Sequence, residues 1–248
     1  MIIIKSSLFT GLPGVILGVS TKKHSHARAP FYFNMSFSVG DDEKKVHRNH
    51  KLFFAELHLK DIVFQKQVHS DIVTVVDKPG NCGESDAMIT CCPGLALAVS
   101  IADCTPVFIY DRKNRVVAGI HSGWRGTQKR IVEKTLERLS QDYNSSPEDI
   151  FAYIGPAISQ DNYEVDADVA GMFDEKYTRK THTKYLLDVK RANYDMLTGW
   201  GIPEAHVQMS ALCTFEMKDL LHSYRRDGQN SGRLLGAIAL ADNPAAGK

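Results

Sequence analysis

Between Ala96 and His121 the chain carries three short apolar runs, Ala96–Ile101, Val107–Tyr110 and Val116–His121, and only the polar turn around Asp111–Asn114 separates the last two. A parallel crossover takes a dozen or more residues, so a turn this short makes the second and third runs an antiparallel pair. Cys104 follows the end of the first run and His121 closes the third. With the middle strand and its turn returning the chain, both fall at one edge of the same sheet. One rigid edge thus receives a thiol and an imidazole.

The same signals extend along the chain. Enrichment in β-branched and aromatic residues between turn residues predicts further strands at Ile2–Phe9, Val15–Ser20, Ile72–Val76, Asp86–Thr90, Ile150–Ile154, His206–Ser210 and Leu234–Leu240. Helical spacing predicts Asp42–Leu59, with a stripe of Val46, Phe53, Phe54 and Leu57, and Thr127–Leu139, with Ile131, Val132, Leu136 and Leu139. Two more helices are expected near Val165–Phe173 and Val189–Trp200. Strands outnumber helices and short turns join many of them, so the sheets are mixed rather than all parallel. No linker divides the 248 residues, which read as a single domain, 1–248, with a frayed small-residue tail at Asn243–Lys248.

Charge excludes several functions. Thirty Lys and Arg against 29 Asp and Glu leave no global basic field for nucleic acid or an anionic membrane, so an anionic substrate must be held by local arginines. The start, Met1-Ile2-Ile3-Ile4-Lys5, is too short in apolar residues for a signal peptide, and no window reaches the length of a membrane span. Five cysteines, two of them adjacent at Cys91-Cys92, argue against a disulfide framework and for a reducing cytoplasm.

His69 lies in a loop between the Phe64–Val68 stretch and the strand expected at Ile72–Val76. Together with Cys104 and His121 it completes the inventory of an open transition-metal site, one thiolate and two imidazoles with a position left for water or substrate. A structural zinc module would instead close four ligands, usually as C-x-x-C pairs, and the chain has no C-x-x-C. On spacing alone the competing description is a buried thiol with two hydrogen-bonding histidines.

Five segments appear in a distinctive order: Gln67-Val68-His69, Ala102-Asp103-Cys104, His121-Ser122-Gly123-Trp124-Arg125-Gly126, Ile154-Gly155-Pro156-Ala157-Ile158 and Ser223-Tyr224-Arg225-Arg226-Asp227-Gly228. In this the chain resembles the YfiH/YlmD family, also labelled the multicopper polyphenol oxidase or laccase-domain family, over nearly its whole length. The resemblance implies an α/β (α+β) sandwich of mixed β-sheets flanked by helices, a fold also compared with cytotoxic necrotizing factor. It implies zinc, with copper as the other candidate, held by His69, Cys104 and His121. It implies purine nucleoside phosphorylase activity on adenosine, inosine and S-methyl-5'-thioadenosine, with adenosine deaminase activity at the same site. Two departures stand out: His222 where relatives carry Phe, expected to bring a polar group to the pocket rim, and Ser122 where Ala is common.

Within that reading the other site residues have named parts. Asp103, beside the Cys ligand, is the carboxylate that would move protons during deamination, or else a hydrogen-bond cap on the turn. Phosphorolysis needs a phosphate behind the ribose, for which arginines are suited. Arg48 resembles an arginine on the family's helix after Gly40-Asp41. Arg125 is expected just before a helix start at Thr127, where amides reinforce anion binding. Arg225 precedes a turn, while Asn34, Ser36 and Gln67 are polar candidates for ribose or phosphate. The expected partners are therefore purine nucleosides and phosphate, taken up by a monomer without nucleic acid or membrane.

Rival functions stay in view. A laccase holds about ten His and Cys ligands, largely in repeated H-x-H pairs, and ten histidines in all, with a single H-x-H at His24-Ser25-His26, cannot supply them; weak phenol oxidation at one copper remains as a side activity. Cys104 as nucleophile with His121 as base gives a metal-free hydrolase or deamidase. A peptidoglycan-precursor sensor or editing factor is the third.

Overall fold

The computed structural model describes residues 1–242; the tail expected at Asn243–Lys248 lies outside the described residues. The strands are β1 Ile3–Ile4, β2 Val15–Ser20, β3 Asp61–Lys66, β4 Val73–Val75, β5 Gly80–Glu84, β6 Ala87–Thr90, β7 Leu95–Ile101, β8 Thr105–Asp111, β9 Val116–Ser122, β10 Ile150–Ile154, β11 Glu164–Val165, β12 Thr178–Lys180, β13 Tyr185–Leu187, β14 Val207–Met209 and β15 Leu234–Leu240. The α-helices are α1 Ser7–Thr10, α2 Glu43–Glu56, α3 Trp124–Gln128, α4 Ile131–Tyr143, α5 Ala167–Ala170, α6 Val189–Gly199 and α7 Tyr224–Asp227.

Two six-stranded sheets, ordered β1-β2-β15-β7-β3-β5 and β14-β10-β8-β9-β6-β4, pack face to face, and β11-β13-β12 form a small third sheet. Both large sheets are mixed, as the short turns required: β8 and β9 pair antiparallel, whereas β3 runs parallel to β5 and β7. The apolar runs of β7, β8, β9, β10 and β15 are continuous rather than alternating because these strands are covered on both faces. In β8, Phe108 and Tyr110 enter the core between the sheets, while Val107 and Ile109 face the layer that holds Ile131, Leu136 and Leu139 of α4 and Leu197 of α6. In β7, Leu97 and Val99 enter the central core, while Ala96 and Ala98 lie under Phe53 and Phe54 of α2. Small residues on that outer face let the helix approach closely. Helices thus flank a two-sheet sandwich.

Several expected elements differ. The strand expected at Ile2–Phe9 stops at Ile4 and gives way to α1, whose N-cap Ser6 accepts the Phe9 amide. The helix expected over Thr127–Leu139 is two helices, because Arg130 takes a left-handed conformation, φ 62°, and restarts the chain so that the Ile131–Leu139 stripe lies on the second sheet. Near Val165–Phe173 the chain forms β11 and the single turn α5 instead of one helix. Helix α2 ends at Glu56, and His58 leaves it with φ 56°. β3, β5 and the third sheet were not expected.

The connections between the two large sheets converge. The chain passes from the first sheet to the second three times at the same end: β3 to β4, β5 to β6 and β7 to β8. These passages carry His69, Asp86, and Asp103 with Cys104, respectively. His121, near the end of β9, is paired with Pro106 at the start of β8 and so meets them there.

Candidate metal centre

The ligand atoms of His69, Cys104 and His121 all lie within 4.8 Å of one another. Cys104 Sγ is 3.8 Å from His69 Nε2, and the two imidazole rings stand edge to face with centroids 4.9 Å apart. A tetrahedral zinc with bonds of about 2.0–2.3 Å spaces its ligand atoms roughly 3.3–3.7 Å apart, close to this arrangement. His121 is buried, Cys104 half-buried and His69 exposed, so the triad is closed on the protein side and reachable from the other.

Each ligand is held locally. His69 and Asp103 both adopt left-handed backbone, φ 58° and 89°, which costs free energy for a residue with a side chain and is offset by the contacts around it. For His69 the contacting group is Asp86, completely buried, whose carboxylate accepts the amides of Val68, His69 and Ser70 and the Ser70 hydroxyl. Asp86 Oδ1 also accepts a hydrogen bond from His121 Nδ1 at 2.7 Å, and its carbonyl accepts the His121 amide. Gly123 supplies room: a Cβ there would come within 2.9 Å of Cys104 Sγ and 3.2 Å of His69 Cδ2.

Electrostatics favour the charged thiolate. Burial alone would raise the Cys104 thiol, but the neighbouring His121 ring first, then His69, hold it below the usual range. Against its own burial, His121 is raised by the Cys104 thiolate and by Asp86. Burial likewise opposes ionisation of Asp86, yet the hydrogen bonds from His121 and Ser70 hold it down at about 2. The thiolate is the form in which Cys104 ligates a metal, while a metal bound here must displace the extra proton that the same charges favour on His121.

Asp103 is engaged in holding the chain. Its carboxylate accepts the Thr214 hydroxyl at 2.6 Å and the Arg225 amide at 2.6 Å, and its carbonyl accepts the Ile158 amide. These contacts match the cap alternative. Arg225, exposed, lies 5.0 Å above the Tyr163 ring and donates to the Glu164 carbonyl. Arg125 is not ahead of a helix but inside α3, whose N-cap is Gly123; it is exposed and stacks 4.2 Å from Trp124. The charges of Cys104, Arg225 and Arg125 all reach the half-buried Tyr163, whose hydroxyl is pushed up mainly by burial and stays protonated. Arg233 feels Asp103 and Cys104 and lies 5.3 Å from the Tyr224 ring. Neither Tyr163 nor Arg233 stood out in the sequence, because neither belongs to a local motif with metal-ligand or turn character.

The remaining candidates make other contacts. Asn34 is buried with its amide spent on Ser36, Asp41 and the Arg233 amide. Ser36 caps the short turn at Phe37–Val39 and contacts Ser38. Gln67 clamps β7, donating to the Ser100 carbonyl and accepting its amide. Arg48, exposed on α2, lines a small cavity with His26, Arg28, Lys45 and Asp41. His222 is not on a rim: it is 1% exposed, and its Nε2 finds no hydrogen-bond partner among the described residues. Ser122 joins a buried network with Thr127 and Asn193.

A family model described as multi-copper polyphenol oxidoreductase laccase matches residues 16–241. The chain belongs to this laccase-like family. Among similar chains, a purine nucleoside phosphorylase of Bacteroides thetaiotaomicron is 34% identical over 84% of each chain. The purine nucleoside phosphorylase YlmD of Bacillus subtilis is 30% identical over 92% of this chain and 89% of its own. The solved structure of YlmD from Geobacillus stearothermophilus superposes with a TM-score of 0.89 at 29% identity, covering 96% of this chain and 94% of that one. The structure of the hypothetical protein YfiH from Bacillus licheniformis gives 0.87 at 31% identity, covering 91% and 92%. The mixed-sheet sandwich expected from the sequence is thus the fold that these YfiH and YlmD structures share. Among the described residues, His69, Cys104 and His121 are the only group of three or more His, Cys, Asp or Glu placed to hold an ion, and no helix is long and apolar enough to cross a membrane.

Proposed function

We propose that the chain is a zinc-dependent purine nucleoside phosphorylase, acting on adenosine, inosine and S-methyl-5'-thioadenosine, with adenosine deamination at the same centre. The observation that carries the reading is the convergence of a thiol and two imidazoles, their ligand atoms all within 4.8 Å of one another, with cationic side chains nearby. Relatives named purine nucleoside phosphorylase, similar over most of their length, support the substrate class. His69, Cys104 and His121 would hold the ion, which supplies Lewis acidity.

The chain's own residues account for the rest. Arg225, over the Tyr163 ring, and Arg125, whose charge also reaches Tyr163, are exposed and offer cationic forks suited to a phosphate dianion. Tyr163, protonated beside them, is a hydrogen-bond donor to a ribose hydroxyl or a leaving purine nitrogen. Asp103 keeps the Arg225 segment against the Cys104 turn, so its part here is positional. One His/Cys cluster gives no basis for a multicopper array among the described residues.

The test is product chromatography after incubation with adenosine or inosine, with and without phosphate. Free purine and ribose 1-phosphate formed only with phosphate support phosphorolysis, and inosine formed from adenosine without phosphate supports deamination. No turnover of any nucleoside by zinc-loaded protein overturns the reading.

A second reading draws on one observation, the Cys104 thiol held low by the His121 ring, which is also how a cysteine nucleophile is activated. Iodoacetamide trapping separates the two. Protection of Cys104 by zinc favours the ligand; rapid alkylation of the zinc-loaded protein favours the nucleophile.

A further inference from the structure

We propose that Asp86 is the positioning residue that assembles the metal centre, orienting His121 and the His69 loop at once, so that metal affinity depends on it. The inference rests on the three-ligand reading of His69, Cys104 and His121 and goes beyond it.

The side chain of Asp86 is completely buried, yet it carries no cationic Lys or Arg partner in the hydrogen-bond set that surrounds it. Its two oxygens are instead saturated by five donors. Oδ2 accepts Val68 N at 3.2 Å, Ser70 N at 2.6 Å and Ser70 Oγ at 2.6 Å. Oδ1 accepts His69 N at 3.1 Å and His121 Nδ1 at 2.7 Å. Burying a carboxylate this deeply costs free energy unless its lone pairs are filled, and here every filling group belongs to a ligand or to a neighbour of one.

Two geometric consequences follow. Because a carboxylate only accepts, the His121 Nδ1 must carry a proton, so Nε2 is the ring nitrogen left to serve as the metal donor beside Cys104 and His69. The Asp86 carbonyl also accepts the His121 amide at 2.7 Å, so main chain and ring are registered together. On the other side, three consecutive amides converge on one carboxylate across the left-handed turn at His69, φ 58°. Those contacts offset the cost of the left-handed conformation at His69. Asp86 also donates its own amide to the Ile72 carbonyl, closing the loop that carries His69. A single residue therefore sets the distance between a ligand on a loop and a ligand on a strand.

The measurement is zinc affinity by chelator competition, with the visible spectrum of the cobalt-substituted protein, for wild type, Asp86→Asn and Ser70→Ala. Melting of the metal-free forms reports folding separately. Loss of an outer hydrogen-bond partner of a metal-bound His weakens binding about 10–100-fold, and that is the expected result for folded Asp86→Asn, with a changed cobalt spectrum. Ser70→Ala removes one donor and should weaken zinc about 3–10-fold by the same reasoning. Should Asp86→Asn fail to fold, Ser70→Ala decides. Folded variants that bind zinc within threefold of wild type with an unchanged cobalt spectrum overturn the proposal and leave Asp86 a purely structural group. Because the readout is affinity, an inactive but normally loading protein would count against the nucleoside reading and leave this one standing.

Discussion

Cys104 Sγ faces His69 Nε2 at 3.8 Å although the two residues lie on different passages between the sheets, Cys104 between β7 and β8 and His69 between β3 and β4. Neither is placed by its own strand alone; the parallel run of β3 and β7 brings both loops to one end.

The space beside that pair is kept by the missing side chain of Gly123. Gly123→Ala puts a Cβ 2.9 Å from the sulfur, and the Cys104 side chain must move to admit it. The backbone at Gly123, φ −69°, is one Ala adopts freely. The expected outcome is a drop in bound zinc, measured by metal analysis after dialysis, with a melting temperature of the metal-free protein close to wild type. Full zinc loading of Gly123→Ala would contradict this.

Asp103 separates a proton-transfer role from a structural one. Asp103→Ala leaves the buried Thr214 hydroxyl without its acceptor and puts a β-carbon-only residue at φ 89°, together worth about 2–4 kcal/mol of stability. Asp103→Asn keeps an acceptor and tolerates the left-handed conformation, so it should lose clearly less in a urea unfolding curve. If it retains deaminase activity within severalfold of wild type, Asp103 is not the proton carrier.

Buried His222 makes the fold acid-sensitive. Burial first, then the charges of Lys22 and Arg233, lower its pKa to about 3. A group whose protonation is suppressed on folding favours the unfolded chain as it gains a proton. Its contribution is fully present above the ordinary His value of 6.5 and is lost on acidification towards 3, at about 1.4 kcal/mol per pH unit. His222→Phe should flatten the stability profile between pH 6 and 4, roughly the window set by that shift, in denaturant titrations; an unchanged slope would show that other groups carry the acid response.

Much of the sandwich was legible because β7, β8, β9, β10 and β15 are apolar runs punctuated by polar turns. β5, Gly80–Glu84, is a polar, glycine-bearing strand next to β3 at the sheet edge and carries no such signal. The break between α3 and α4 was hidden because its left-handed residue is Arg130, where sequence reading looks for Gly or Asn. At the site, residue type alone marks His69, Cys104 and His121 as candidates, since thiols and imidazoles are the side chains that transition metals select. Asp86 was visible only as the start of a strand, since its partners are mainly main-chain amides with no sequence signature. Gln67 and Asn34 show the converse: polar residues in a motif whose hydrogen bonds are spent inside the fold.

The most direct measurement compares wild type with Cys104→Ala, each with its zinc content determined, for phosphate-dependent release of purine from inosine and adenosine. If the three-ligand centre is the seat of phosphorolysis, wild type holds about one zinc per chain, as an open three-ligand site would, and forms ribose 1-phosphate, and the folded variant loses both. Purine release by zinc-free Cys104→Ala at the wild-type rate would contradict that assignment and move the active site elsewhere on the molecule.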